Sequence, residues 1–122
     1  MNVRPVESPD PHIGERLALL REETDPSFVT EIVAQFLTET QDAMQKLRDA
    51  IRSGDTMAIG LYAHKLKGAN LNVGANKLAA MFERLETTMR ESDVPPADST
   101  MHEIEHENGK VWDYLRNLPA AQ

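Results

Sequence analysis

Residues 63–75, AHKLKGANLNVGA, set His64 between Gly60 and Gly68 and beside Lys65 and Lys67, in a stretch otherwise rich in helix formers. Imidazole is neutral and nucleophilic near physiological pH, and a phosphoryl group bonded to it brings a charge near −2 and strong acceptor oxygens. Lysine ammonium groups within reach answer that charge with charge-assisted hydrogen bonds. At about 100° per residue, Lys67 stands about 60° from His64 and can bring its Nζ beside anything bonded to the ring. Lys65 is about 100° away, with a stem long enough to reach. Gly60 and Gly68 lie one turn before and one turn after His64, on its face of the helix. Each costs about 1 kcal/mol relative to alanine in a helix interior. An ordinary surface histidine gains nothing from such clearance, whereas one that a bulky group must approach does. The chemistry these residues suit is the carrying of phosphate on His64, with Lys67 and Lys65 at hand and Gly68 leaving room.

A second constellation, His102-Glu103-Ile104-Glu105-His106, fits the H-E-x-x-H pattern of zinc metalloproteases. A catalytic zinc needs three protein ligands, and the place for a third is occupied by Trp112. In an acid-rich helix the short pattern arises by chance, so no metal ligand is assigned.

The elements that must hold His64 all read as helices. Pro5, Pro9 and Pro11 suggest a loose lead over residues 1–12, followed by a short stripe of Ile13, Leu17 and Leu20. Asp25 and Pro26 form a helix start, and Val29, Ile32, Val33, Phe36, Leu37, Met44, Leu47 and Ile51 continue at spacings of three and four. Gly54 closes that helix and Asp55 caps the next, which runs from about Thr56 to Val73 before Gly74. A fourth carries Leu78, Met81, Phe82, Leu85 and Met89. After Pro95 and Pro96 a last one starts near Asp98 or Ser99, with Ile104, Val111, Leu115 and Leu118 at core spacing. No strand alternation appears. Long helices joined by short loops pack as an antiparallel bundle. The expectation is an all-α, up-and-down four-helix bundle over residues 13–118 with a short extra N-terminal helix, then a tail at 119–122.

On the third helix, with Ile59 at the origin, Tyr62, Ala63, Leu66, Ala69, Asn70 and Val73 fall within about 80° and form the core face. His64 falls near 140°, almost opposite, in company with Met57, Leu61 and Leu71. Apolar side chains around an outward histidine mark a contact surface. Met57, Gly60, Leu61 and Leu71 are therefore expected to dock a partner, with Ile32 and Phe36 at the edge of the second helix completing the surface.

Composition narrows the classes further. The 122 residues suit one domain, and 20 Asp and Glu against 13 Lys and Arg give a formal charge of −7, which repels nucleic acid. There is no cysteine for a disulfide or thiolate site, no membrane-length apolar run and no signal-peptide core at the start. A cytoplasmic monomer without nucleic-acid or membrane contact is expected. No Gly-rich loop that could cradle ATP is present, so self-phosphorylation is not expected: the chain reads as a phosphocarrier rather than an enzyme.

The run A-H-K-L-K-G, followed by G-A-N-K-L at 74–78 and Leu85-Glu86, resembles the histidine-containing phosphotransfer (HPt) domains of multistep two-component phosphorelays. The resemblance covers Asp25 to Leu118. It implies a four-helix bundle in which His64 accepts and donates a phosphoryl group, Lys67 steadies it and Gly68 clears space. It also implies response-regulator receiver domains as partners, with a hybrid sensor histidine kinase as another. On this reading the chain needs no cofactor, and Mg²⁺ and an acidic pocket come from the receiver. The alternative is an interaction module that uses the same face to bind and restrain a non-receiver partner.

Overall fold

The computed structural model describes residues 7–118, and its ordered elements are five helices: α1 (Pro11–Glu23), α2 (Pro26–Ser53), α3 (Thr56–Asn72), α4 (Asn76–Glu91) and α5 (Asp98–Arg116). The four longer ones form the up-and-down bundle, in which α3 packs against both α2 and α4. The expected tail at 119–122 lies outside the described residues.

Local chemistry sets the boundaries. Asp25 accepts a hydrogen bond from the Ser27 N–H with Pro26 at the first helical position, so α2 starts where its cap dictates. It ends at Gly54, whose φ of 70° is the left-handed conformation that closes a helix cheaply only in glycine. Asp55 then caps α3 through the Ala58 N–H. These starts and stops are the ones the sequence predicts.

The core takes one stripe from each helix. Ile13 and Leu17, Met44 and Leu47, Ile59 and Leu66, Leu78 and Phe82, and Ile104 and Val111 are all essentially inaccessible to water. Asn70 also lies fully inside, on the core face where the helical wheel puts it, with its Nδ2 donating to the Leu66 carbonyl.

The expected loose lead at 1–12 requires correction in its described part. Pro11 starts α1 instead of preceding it, because its fixed φ suits the first helical position and Asp10 caps the turn. Asp10 is buried, and its two carboxylate oxygens serve two helices. Oδ1 accepts from the His12 backbone N–H at 2.9 Å and from His12 Nδ1 at 2.7 Å, while Oδ2 accepts from the Lys77 N–H at 2.8 Å. That last bond caps α4, whose own N-cap, Ala75, has no side chain to do so. Arg16 Nε adds a bond to the Asn72 carbonyl at the end of α3.

Gly74 makes this docking possible. Its φ is 80°, and a Cβ there would collide with the His12 carbonyl oxygen and come within 2.8 Å of Arg16 Cβ. The sequence marks Gly74 as a helix breaker; its closer function is to let the first turn of α1 lie against the α3–α4 connection. The network fixes α3 at its C-terminal end, two turns beyond His64.

Candidate functional site

His64 projects from the middle of α3 into solvent, with 64% of its side chain exposed. Its Nδ1 lies 2.9 Å from Glu86 Oε2 on α4. A carboxylate can only accept, so Nδ1 carries the proton and donates, and in the neutral ring the lone pair is then on Nε2. The other Glu86 oxygen accepts from Lys67 Nζ at 3.2 Å. Glu86 is mostly covered. Burial pushes its carboxyl up, but hydrogen bonds from Lys67 and His64, together with the charge of Lys67, outweigh burial and hold it below the usual glutamate range. The result is a persistent anion that ties one nitrogen of the ring and holds a lysine at its side.

Glu86 is the side chain at the candidate site that reasoning from residue chemistry missed. It belongs to the quoted Leu85-Glu86 pair, yet nothing in the wheel of the third helix can place a side chain 22 positions away. Only the packing of α3 against α4 brings it to the imidazole.

The glycines divide. Gly68 is exposed, with nothing within 4 Å of where a Cβ would stand, so the flank of the ring it leaves is open space. Gly60 is half-buried, and a Cβ there would meet Met89 Cβ at 3.6 Å, an ordinary contact. Gly60 thus widens the floor beneath the ring toward α4 more than it clears the solvent side. Lys65 is exposed.

A groove of about 590 Å³ runs beside His64, with Met57, Gly60 and Leu61 on the α3 wall and Glu86, Met89 and Arg90 on the α4 wall. Met57 and Leu61 are 86% and 63% exposed, as the outward face of the wheel requires. Leu71 is exposed as well but does not line this groove. Ile32 and Phe36 do not join it either. Phe36 is buried and Ile32 half-buried, and both border a separate depression lined by Arg16 and Leu20 of α1 and by Ala69 and Asn72 of α3. Phe36 is turned into the core, so it offers a partner almost no surface.

On α5, His102 and His106 are exposed while Ile104 between them is in the core, and the Glu105 carboxylate pairs with Arg48. Among the described residues no three His, Cys, Asp or Glu side chains gather to hold a metal ion. Among those residues, too, no helix is long and apolar enough to cross a membrane.

Comparison with known proteins fits this geometry. The Hpt domain family matches residues 31–114, which include His64, Lys67, Gly68 and Glu86. The crystal structure of histidine-containing phosphotransfer protein B from Pseudomonas aeruginosa PAO1 superposes with a TM-score of 0.79 at 26% identity, over 87% of this chain and 92% of that one. Pseudo histidine-containing phosphotransfer protein 6 of Arabidopsis thaliana is 24% identical over 106 residues, 84% of this chain; the chain spans 66% of that relative's length. With the fold, the helical register of the motif and the matched span in agreement, the chain belongs to the Hpt domain family of histidine-containing phosphotransfer modules.

Proposed function

We propose that the chain is a phosphorelay intermediate: it takes a phosphoryl group from the aspartate of one receiver domain onto His64 and gives it to the aspartate of another. The observation that carries this reading is the Nδ1–Glu86 hydrogen bond, which leaves Nε2 free on an exposed ring. The Nε2 lone pair attacks phosphorus, a nitrogen–phosphorus bond forms, and the bond from phosphorus to the aspartyl oxygen breaks as the carboxylate leaves. Nδ1 keeps its proton throughout, so the ring becomes positively charged as the bond forms. Glu86 faces that charge at hydrogen-bond distance and needs no rearrangement to stabilise it. Lys67 can turn from Glu86 to the phosphoryl oxygens, and Lys65 supplies a second cation at longer reach. Gly68 leaves the ring accessible to the receiver loop.

Docking uses the groove of Met57, Gly60 and Leu61, with Leu71 at the margin. The Mg²⁺ and acidic pocket that transfer requires belong to the receiver, and this chain acts as a cytoplasmic monomer and a carrier without kinase activity of its own. A hybrid sensor histidine kinase is a second source of phosphoryl groups. The test is incubation with a panel of phosphorylated receivers from the source genome, ranked by transfer rate. Rapid transfer from one or a few, with the label mapped to His64, supports the proposal; no transfer from any receiver refutes it.

A further inference from the structure

We propose that Met57 is a site of reversible oxidation by peroxides, and that its sulfoxide closes the His64 groove to receiver docking. The inference rests on the docking role proposed above. Among the described residues Met57 stands apart from the other methionines: it is 86% exposed, Met44 and Met89 are 1% and 8% exposed, and Met81 and Met101 are half-buried. It sits in the first turn of α3, seven positions before His64, and Gly60 on the adjoining turn has no side chain to shield it. A peroxide therefore reaches its sulfur without any opening of the bundle.

In the reaction a sulfur lone pair attacks one peroxide oxygen. The sulfur–oxygen bond forms, the oxygen–oxygen bond breaks, sulfur is oxidised by two electrons, and hydrogen peroxide is reduced to water. The product replaces a flexible apolar arm with a strongly polar one. An exposed sulfoxide is solvated and leaves the fold undisturbed. Burying it against an apolar receiver surface strips that solvation without a compensating hydrogen bond, so the cost falls on binding. Met89, at the floor of the same groove but covered, is an internal control for accessibility.

The experiment exposes the full chain to hydrogen peroxide, removes the excess with catalase, and then measures affinity for a receiver that exchanges phosphate with it. Mass spectrometry of peptides follows each methionine in parallel. The expected result is sulfoxide at Met57 before Met44, Met81, Met89 or Met101, with affinity lowered about ten-fold and restored by methionine sulfoxide reductases. The Met57→Leu variant, referred to its own untreated affinity, should not respond to peroxide. Oxidation of another methionine first, or undiminished affinity when Met57 is fully oxidised, overturns the inference. The untreated Met57→Ala variant separates the two levels. If it binds like wild type, the docking reading fails and the inference with it; if it binds weakly while the sulfoxide binds normally, only the oxidation inference fails.

Discussion

Glu86 holds His64 Nδ1 with one carboxylate oxygen at 2.9 Å and Lys67 Nζ with the other at 3.2 Å. One side chain of α4 thereby engages one imidazole nitrogen and the Lys67 ammonium at once. In the proposed transfer, the anion on Glu86 balances the charge that the ring gains, and its bond to Lys67 is one the phosphoryl oxygens can replace.

Glu86→Ala should slow phosphoryl uptake by about ten-fold, the equivalent of one charge-assisted hydrogen bond, because the imidazole proton is then free to sit on either nitrogen. Glu86→Gln keeps an acceptor for Nδ1 but no charge, so its rate should fall between those of Ala and wild type. Stopped-flow or rapid-quench transfer from a phosphorylated receiver measures both; equal rates for all three proteins would show that the contact is incidental.

Gly68 and Gly74 should respond in opposite ways to alanine. At Gly68 the added methyl enters open space, and the helix gains up to about 1 kcal/mol. At Gly74 it meets the His12 carbonyl from a left-handed backbone, and about 2 to 5 kcal/mol should be lost. Urea denaturation reads both. Gly68→Gln should be as stable as wild type but slow in transfer, since its side chain fills the approach to the ring.

Asp10→Ala should cost about 2 kcal/mol, because one carboxylate caps both α1 and α4. Burial pushes the Asp10 carboxyl up, but the N–H bonds from Lys77 and His12 and the neighbouring imidazole hold it below its ordinary value. Its contribution to stability is therefore present above the unfolded value of about 3.9, and it is lost as pH falls through the lower folded value. Denaturation of wild type and Asp10→Asn over about pH 2 to 6 should show a gap that narrows on acidification. A constant gap would assign the effect to packing instead.

Lys67 and the apolar wall should separate by stage. Lys67→Ala should shorten the phosphohistidine lifetime or slow transfer while leaving receiver affinity nearly unchanged. Leu61→Ala removes a groove side chain whose burial is worth about 1.5 to 3 kcal/mol, so affinity should drop ten-fold or more. Leu71→Ala, outside the groove, should have the smaller effect. Calorimetric titration beside a transfer assay distinguishes the roles, and loss of affinity in Lys67→Ala with normal binding by Leu61→Ala would reverse them.

Most of the bundle is legible in the sequence because its signals are local. Asp25, Pro26, Gly54 and Asp55 act on backbone groups within a few residues, and the α3 wheel separates Ile59, Ala63 and Leu66 from His64 with no knowledge of the neighbours. What the sequence does not show depends on contacts between distant segments. Pro11 reads as a breaker until Asp10 is seen capping α1 and bonding to Lys77, 67 positions away. Phe36 reads as a stripe edge until the packed neighbours of α2 bury it. Glu86 stands in plain view in the motif, yet its function comes from packing of α4 beside α3.

Whether His64 is the phosphoryl acceptor is decided by labelling the His64→Gln variant from a phosphorylated receiver and following its unfolding in parallel. No stable label is expected, with helix content and thermal midpoint close to wild type, since the replaced ring is exposed and outside the core. Persistent labelling of His64→Gln, or loss of label on replacing His12, His102 or His106 instead, would contradict that role.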